Sequence, residues 1–503
     1  MESMFMSQPS LRGSLWRHYG QTRPFPPLAG PARADVLIVG AGITGLLTAA
    51  RLADAGLDVL LVDAGPVGGR NTAQSTGNLY APVSRMADLV SRWGSGVARR
   101  VVQWRGQSLR SIEALVHRYD LECGFSRVPM QYGIQQRDAE ATLRFDRELQ
   151  AYQRAGLRCA HHPFGLPFAL GHSFTIPDQA QLDPLAFCQG LASRLAGRVR
   201  IHAGTRVATI DAGAGVARTG TGDTIRAAHF VLATHSPSGF NLVQAEMEVH
   251  REYAMAAPVA VAPAPGIHWI ADRHRSLRGG TGADGRSWLV LVGETHRAGE
   301  TPVADPGLRL VEDARRHFQL QGEPIIWSAQ QFRAADRLPY IGNSAHDNVW
   351  VATGFGPDGL GWAGVAASVI EQGIQGVHEE AARQLSPMRF TPLRSAGGWL
   401  RTNATVMKHF VGDRLPRSSE GAAESLPAGE GALLDIGGKR TAAYRDDAGD
   451  LHVLSPLCPH LKCLVQWNGH ERTWDCPCHG SRFSATGQLL EGPASEGLSP
   501  LAP

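Results

Sequence analysis

Two unbroken apolar runs, 36–39 and 59–62, flank a segment in which apolar residues recur at Ile43, Leu46, Leu47, Ala50 and Ala53. An unbroken run suits a strand buried on both faces of a parallel sheet, and the spacing between the runs is one face of a helix. The pattern predicts strand, helix, strand over 35–63, with Gly40, Gly42 and Gly45 at the first turn and Gly56 closing the helix. Further along it predicts helices over 85–120 and 138–155, and turns with a helix near 185–195 within 160–195. Short β-rich runs follow at 199–202, 206–210 and 230–233, then antiparallel strands at 251–263 and 287–292. Around 348–374 the order is strand, glycine loop (Gly354, Gly356, Gly359, Gly361), helix over 363–374. Periodicity fades across 376–430, where Pro, Gly and Ser accumulate, and 391–428 is taken as a linker. From 429 to 503 only short strands and turns remain, a small β unit. Residues 1–34, with Pro24, Pro26, Pro27 and Pro31, are expected to wrap the outside of the first unit.

At 503 residues the chain exceeds one ordinary core, so two or three domains are expected. Its net charge of +3 is small and its basic residues are not clustered, which sets aside nucleic acid and anionic membrane surfaces as partners. No apolar run reaches membrane-spanning length, and the N-terminal stretch lacks the apolar centre of a signal peptide. A cytoplasmic protein is expected. Of the seven cysteines, Cys123, Cys159 and Cys188 are scattered and read as buried or incidental thiols. Cys458, Cys463, Cys476 and Cys478 lie within 21 residues, and such a cluster points to metal rather than to a disulfide framework.

The glycine triplet adds chemistry to the first pattern. Gly40 permits a tight turn, Gly42 lets backbone approach a diphosphate, and Gly45 lets the helix pack close to the sheet. The helix start offers N–H groups and the positive end of a dipole, and Asp63 at the end of the second strand can accept from a ribose. These features indicate a dinucleotide without choosing NAD or FAD. The small-residue segment 64–80 follows as a candidate cofactor wall. The later loop from Gly354 can turn N–H groups toward an electron-rich ring, and serves equally well as a packing loop.

At the other end, Cys458-Pro-His460 is followed after 15 residues by Cys476-Pro-Cys478-His479. Zinc or redox-active thiols would use the same atoms. Two thiolates and two imidazoles are also the ligand set of a Rieske [2Fe–2S] centre, with Cys on one iron and His on the other. The paired loops CPHLKC and CPCHGS, within about 429–503, resemble the Rieske domains of cytochrome bc complexes. The resemblance implies Cys458, His460, Cys476 and His479 as ligands, a disulfide between Cys463 and Cys478, and a Ser481 hydroxyl donating to a cluster sulfur. It also implies that His460 and His479 are the ligands nearest solvent. Those proteins carry Tyr two residues after the serine; Phe483 stands here, so a somewhat lower potential is expected.

The strings VGAGITG with Asp63, GGRNTAQSTG at 68–77, RVATI at 206–210, VLATHSP at 231–237, PYIG at 339–342 and VATGFG at 351–356 resemble the D-amino-acid oxidase-like FAD oxidoreductases, of glycine oxidase and sarcosine oxidase type, over about 34–375. The implied fold class is α/β, with an FAD-binding Rossmann-like part (about 34–130, 196–240 and 335–378) and an antiparallel-sheet substrate part (about 131–195 and 241–334) inside an oxidoreductase domain at 1–390. A small all-β Rieske domain ends the chain. The resemblance assigns FAD to Gly40, Gly42, Ile43, Thr44, Gly45, Asp63, Ala64, Arg70, Asn71, Thr72, Thr76, Val207, Ala233, Thr234, Gly354, Phe355, Gly356 and Gly359. Val207 would meet the adenine through its backbone. Neither 68–80 nor 339–361 holds a Cys, and His346 is the one His there, so FAD is expected to be noncovalent. No second dinucleotide turn suggests a separate NADPH site.

On the substrate side the resemblance points to Tyr253, Arg278 and Trp327, with Arg278 clamping a carboxylate. His235, His274 and His296 read as ordinary polar residues. The implied reaction is oxidation of the C–N bond of an amine or amino-acid-like substrate, with electrons passing from flavin to the Rieske cluster and then to a protein acceptor or O2. Two other readings stay open: a flavin oxidase using O2 directly beside a structural or regulatory Rieske domain, and a non-enzymatic redox sensor or electron shuttle. A Rieske oxygenase is disfavoured because no separate catalytic domain offers a 2-His-1-carboxylate site.

Overall fold

The computed structural model describes residues 13–19, 24–161, 165–237, 241–282, 285–300, 302, 304–377, 379–389, 391 and 423–501. Most of the expected linker, 391–428, lies outside them. The first sheet runs in the order Tyr340–Asn343, Val349–Thr353, Thr224–Leu232, Ala32–Val39, Val59–Val62, Arg200–His202. Ala32–Val39 is parallel to both Val59–Val62 and Thr224–Leu232. Its alternate side chains serve two cores. Val36 and Ile38 join the helices Ile43–Asp54, Met86–Tyr119 and Gly359–Ile374, while Leu37 and Val39 pack toward the hairpin of Val207–Asp211 and Val216–Thr219. A strand covered on both faces has no polar side to show, hence the unbroken apolar run.

The second sheet runs Ile325–Ala334, Met247–Pro258, Ser287–Arg297, Arg275–Thr281, Ile267–Ile270, Ser126–Ile134, His172–Gln181, Asn78–Leu79. It is antiparallel except where Ile267–Ile270 meets Ser126–Ile134. The helix Pro306–His317, N-capped by Asp305, covers one face with Leu310, Val311 and Ala314. On the other face Ala254, Ala256, Val290, Val292 and Trp327 meet Trp16, Ala73 and Leu185. Two expectations are corrected here. The segment 160–195 holds the ten-residue strand His172–Gln181, masked in sequence by Pro177 and by polar residues at both parities. Trp16 does not wrap the outside: it is buried in a core and its indole N–H donates to Ser75 O at 2.7 Å.

The predicted helices are present as Met86–Tyr119, kinked at Gly94, Ala139–Arg154, N-capped by Asp138, and Pro184–Leu195, N-capped by Asp183. The C-terminal unit is two small antiparallel sheets: Gly431–Ile436, Lys439–Arg445 and Leu451–Leu454 in one; Gln466–Asn468, Thr473–Asp475, Arg482–Ser484 and Leu489–Glu491 in the other. Tyr444, Val465, Trp474 and Phe483 pack with its four cysteines into one small core. Among the described residues no helix is long and apolar enough to cross a membrane.

The close approach at the glycine turn has a measurable consequence. A Cβ at Gly45 would stand 1.9 Å from Gly40 O, whereas one at Gly197 would meet nothing within 4 Å. Gly45→Ala is therefore expected to lower stability by about 2 kcal/mol or more, with a lower melting temperature, and Gly197→Ala to change it by less than about 0.5 kcal/mol. Thermal unfolding followed by circular dichroism checks both.

Candidate functional site

The parallel strands end at a cavity of about 1760 Å³. Gly40, with φ +111°, turns the chain there; a Cβ on it would lie 2.4 Å from Ala233 O. Gly42, the N-cap of the following helix, offers no capping side chain, so the helix start at Ile43 and Thr44 lines the cavity. Asp63 is buried at the end of its strand. Its Oδ2 accepts from Ala41 N–H and its Oδ1 from Gly65 N–H, both at 2.8 Å. Burial raises its pKa against those hydrogen bonds. Each carboxylate oxygen keeps a lone pair for a hydroxyl in the cavity. Every residue predicted for the cofactor lines this cavity except Gly45, which packs behind the turn.

Two loops are pinned around the cavity by one buried cation that the sequence did not single out. Arg105 is fully buried and donates to Tyr80 O and Ala81 O at 2.9 Å and to Pro82 O at 2.8 Å. Asp358, 3.9 Å from Arg105, accepts from the Tyr80 hydroxyl at 2.7 Å and from Ser84 N–H at 3.2 Å. The loop from Gly354 to Gly359 is thereby tied to 80–84. A narrow turn for backbone approach, a helix start at the cavity whose Ile43 N–H donates to Thr72 Oγ1 at 3.2 Å, a buried acid and a large cavity together fit a dinucleotide such as FAD.

The substrate-side expectations are redistributed. Arg278 does not line the cavity. It is buried beneath the 71–76 loop, donating to Thr76 O at 2.9 Å and Leu182 O at 3.3 Å, with its guanidinium 5.5 Å from the centre of the Trp16 ring. Burial lowers its pKa to about 10, opposed by Asp183. It is a structural clamp, because the nearest acceptors are backbone carbonyls that only folding brings within reach. Trp327 lines the cavity but spends its indole N–H on Gln74 O at 2.9 Å. Tyr253 also lines it, yet its hydroxyl donates at 2.8 Å to Glu471 of the C-terminal unit.

Several arginines do line the cavity, and among them Arg333 is bridged to Phe355 of the late glycine loop. Arg333 Nε and Nη2 donate to Gln331 Oε1 at 3.0 and 2.6 Å. The Gln331 amide in turn donates to Glu252, which also accepts from Thr295 Oγ1 at 2.9 Å. Burial raises the Glu252 pKa, with Arg333 opposing. A charge on a strand between Phe332 and Ala334 carries no local signal of this role. His235, half-buried on the cavity wall with φ +71°, is held by desolvation at a pKa of about 4 and is neutral.

In the C-terminal unit Cys463 and Cys478 form a disulfide. The sulfurs of Cys463, Cys476 and Cys478 lie within 4.8 Å of one another, but the bond leaves only Cys476 of these three as a thiolate donor. The hydrogen bond with Cys476 takes the Cys458 thiol down to about 7 against burial, and the Ser481 hydroxyl adds to the effect. The His460 and His479 rings stand edge to face, 5.1 Å apart. Both histidines are half-buried while Cys458 and Cys476 are buried. His479 Nδ1 is buried with no hydrogen-bond partner, and burial holds this imidazole neutral with a pKa of about 4. Two thiols and two imidazoles, one with a buried nitrogen free for a metal, fit a Rieske cluster.

The two sites adjoin. The second cluster loop, Cys476 to Ser481, sits on the second sheet: Gln330 Nε2 donates to Gly480 O at 2.7 Å, and Gln330 also lines the cavity. Arg482, Leu490, Glu491, Gly492 and Ala494 line the cavity as well, and Ala494 N–H donates to Ser481 Oγ at 3.0 Å.

Comparison with known proteins agrees with this geometry. Residues 35–372 match the FAD dependent oxidoreductase family and residues 419–501 the Rieske [2Fe-2S] domain. The chain is 27% identical to the putative Rieske 2Fe-2S iron-sulfur protein YhfW of Bacillus subtilis (strain 168), over 96% of each chain. A stretch of 114 residues is 35% identical to the cytochrome b6-f complex iron-sulfur subunit of Prochlorococcus marinus (strain NATL1A), covering 22% of this chain and 61% of that one. In fold it is similar to glycine oxidase from Geobacillus kaustophilus, with a TM-score of 0.58, 17% identity, and coverage of 72% of this chain and 100% of that one. It is similar too to an L-amino acid deaminase from Proteus vulgaris lacking its specific insertion, with a TM-score of 0.58, 16% identity, and coverage of 76% and 100%.

Ser481→Ala removes the hydroxyl that stabilises the Cys458 thiolate and is expected to lower the midpoint potential of the cluster. Redox titration followed by electron paramagnetic resonance checks the direction; an unchanged or higher potential contradicts it.

Proposed function

Because this chain belongs to the FAD dependent oxidoreductase family and carries a C-terminal Rieske [2Fe-2S] domain, we propose that it oxidises the C–N bond of an amino-acid-like amine and passes the electrons to its own cluster. FAD and a Rieske cluster are its cofactors. Bound FAD would supply a hydride acceptor for the carbon bearing the amine, and a bound Rieske cluster a one-electron carrier.

The chain's own residues supply binding, orientation and exclusion of water. Gly40, Gly42 and the helix start at Thr44 receive the diphosphate, and Asp63 the ribose. The Arg105–Asp358 tie holds the Gly354–Gly359 loop as a rigid edge of the cavity. Arg333 receives the substrate carboxylate: it is a guanidinium in the cavity wall, oriented by the Gln331 amide. The structural neighbours named above, a glycine oxidase and an L-amino acid deaminase, support a substrate of amino-acid type. Cys458, His460, Cys476 and His479 hold the cluster. The observation that carries the electron-transfer reading is the shared wall, where Gln330 both lines the cavity and donates to the carbonyl of Gly480, the residue after His479.

Anaerobic mixing with a panel of amino acids and N-methyl amino acids, recording flavin and cluster absorbance together, tests the whole reading. Flavin bleaching followed by cluster reduction is expected. A cluster that stays oxidised beside fully reduced flavin rules the electron route out. With any substrate so found, Arg333→Leu is expected to weaken its apparent affinity by about 10- to 100-fold, the worth of charged hydrogen bonds, while Arg278→Leu lowers thermal stability with little change in KM.

A further inference from the structure

Glu471, on the Rieske unit, has its side chain buried against the second sheet and receives three donor residues there. Arg251 Nη2 reaches its Oε2 at 2.6 Å and Ser328 Oγ the same oxygen at 2.8 Å, while Tyr253 donates to Oε1 at 2.8 Å. Arg482 of its own unit completes the set at 2.5 Å. Burial would raise the Glu471 pKa, but the charges of Arg251 and Arg482 and the hydroxyl donors outweigh it and hold the group ionised. Arg251, Tyr253, Ser328 and Gln330 form one patch, since Arg251 pairs with Gln330 and Tyr253 with Ser328 across the two strands.

The charges at this junction do not balance within either unit. The Rieske side brings three carboxylates, Glu471, Asp475 and Glu491, around a single guanidinium, Arg482. The sheet brings Arg251, with 1% of its side chain exposed, and its carboxylate partners at this junction are Glu471 and, at 3.5 Å, Glu491. Surface shape agrees with charge. A Cβ on Gly480 would lie 2.6 Å from Val249 Cγ1, and one on Gly299 would lie 2.5 Å from Pro477 Cβ, so at both places a glycine backbone lets the two units meet closely. Three contacts at the rim continue the surface: Arg70 Nη1 to Leu490 O at 2.6 Å, His470 to Pro302 O at 3.1 Å, and His470 to Asp305 at 3.7 Å.

We propose that Glu471 is a positioning residue. Its buried junction with Arg251 docks the Rieske unit on the wall strands Met247–Pro258 and Ile325–Ala334 and so keeps the second cluster loop against the cavity. The proposal rests on the electron-transfer reading for its purpose, though not for its geometry. Docking removes both charges from water, and their mutual attraction roughly offsets that cost, so the junction contributes specificity of placement more than net affinity. Removing one partner leaves the other charge buried and unpaired.

The test uses the FAD- and cluster-loaded full chain and its Glu471→Gln, Arg251→Leu and Arg251→Leu/Glu471→Leu variants. Flavin absorbance and the cluster's paramagnetic signal establish that each is folded and loaded. Hydrogen–deuterium exchange over Met247–Pro258 and Ile325–Ala334 reads docking, and flash photoreduction of the flavin reads transfer to the cluster. Each single variant is expected to raise exchange there by about tenfold or more and to slow transfer, with the double variant closer to the parent than the singles predict. Exchange unchanged in both single variants overturns the proposal. Raised exchange with transfer undiminished upholds the docking role and instead counts against the electron route through this wall.

Discussion

The structure depends on the two-residue alternation of one pair of strands. In Met247–Pro258 and Ile325–Ala334, successive side chains point to opposite faces. Glu252, Gln331 and Arg333, joined by hydrogen bonds, stand on the cavity face. Arg251, Tyr253, Ser328 and Gln330, at the alternate positions, meet the Rieske unit, and Tyr253 and Gln330 reach the cavity wall as well. A strand pair is one backbone thick, so the cavity wall and the Rieske contact share the same two strands. A shift of one residue in the register of Met247–Pro258 would exchange Arg251 with Glu252 and place each beside the wrong partner.

Close backbone approach is the second constraint, and it recurs wherever a site is built. Gly40 against Ala233 O, Gly45 against Gly40 O, and Gly480 against Val249 and Gln330 each leave no room for a Cβ. At Gly40 and Gly480 the positive φ requires glycine as well. The buried arginines do the complementary work. Arg105 ties three successive carbonyls to the late glycine loop, and Arg278 ties the 71–76 loop to Leu182, because a guanidinium can satisfy several orphan carbonyls from one position.

Much of the fold was legible where the local pattern and the tertiary demand agree. The run at 36–39 is a strand covered on both faces, the glycine triplet is the turn at the cavity, and the two Cys-His loops converge with their spare cysteines joined. Legibility fails where neighbours come from far along the chain. Nothing local in HSFTIPDQAQ announces a strand, since its pairing with Ser126–Ile134 supplies what its own alternation lacks. Arg278 and Arg333 are both arginines on strands of one sheet. Only the side to which each points makes one a clamp on carbonyls and the other part of the cavity wall.

The sequence by itself determined the glycine turn, the residue types and spacing of the two Cys–His loops, and an α/β part followed by short strands. Those features are written in short-range spacing, which is where backbone conformation is decided. The tertiary structure alone decided that Tyr253 serves the junction, that Arg333 rather than Arg278 lines the cavity, and that Glu471 meets Arg251 across 220 positions. Long-range pairings of charges depend on which faces the folded units bring together, and no local period along the chain records that.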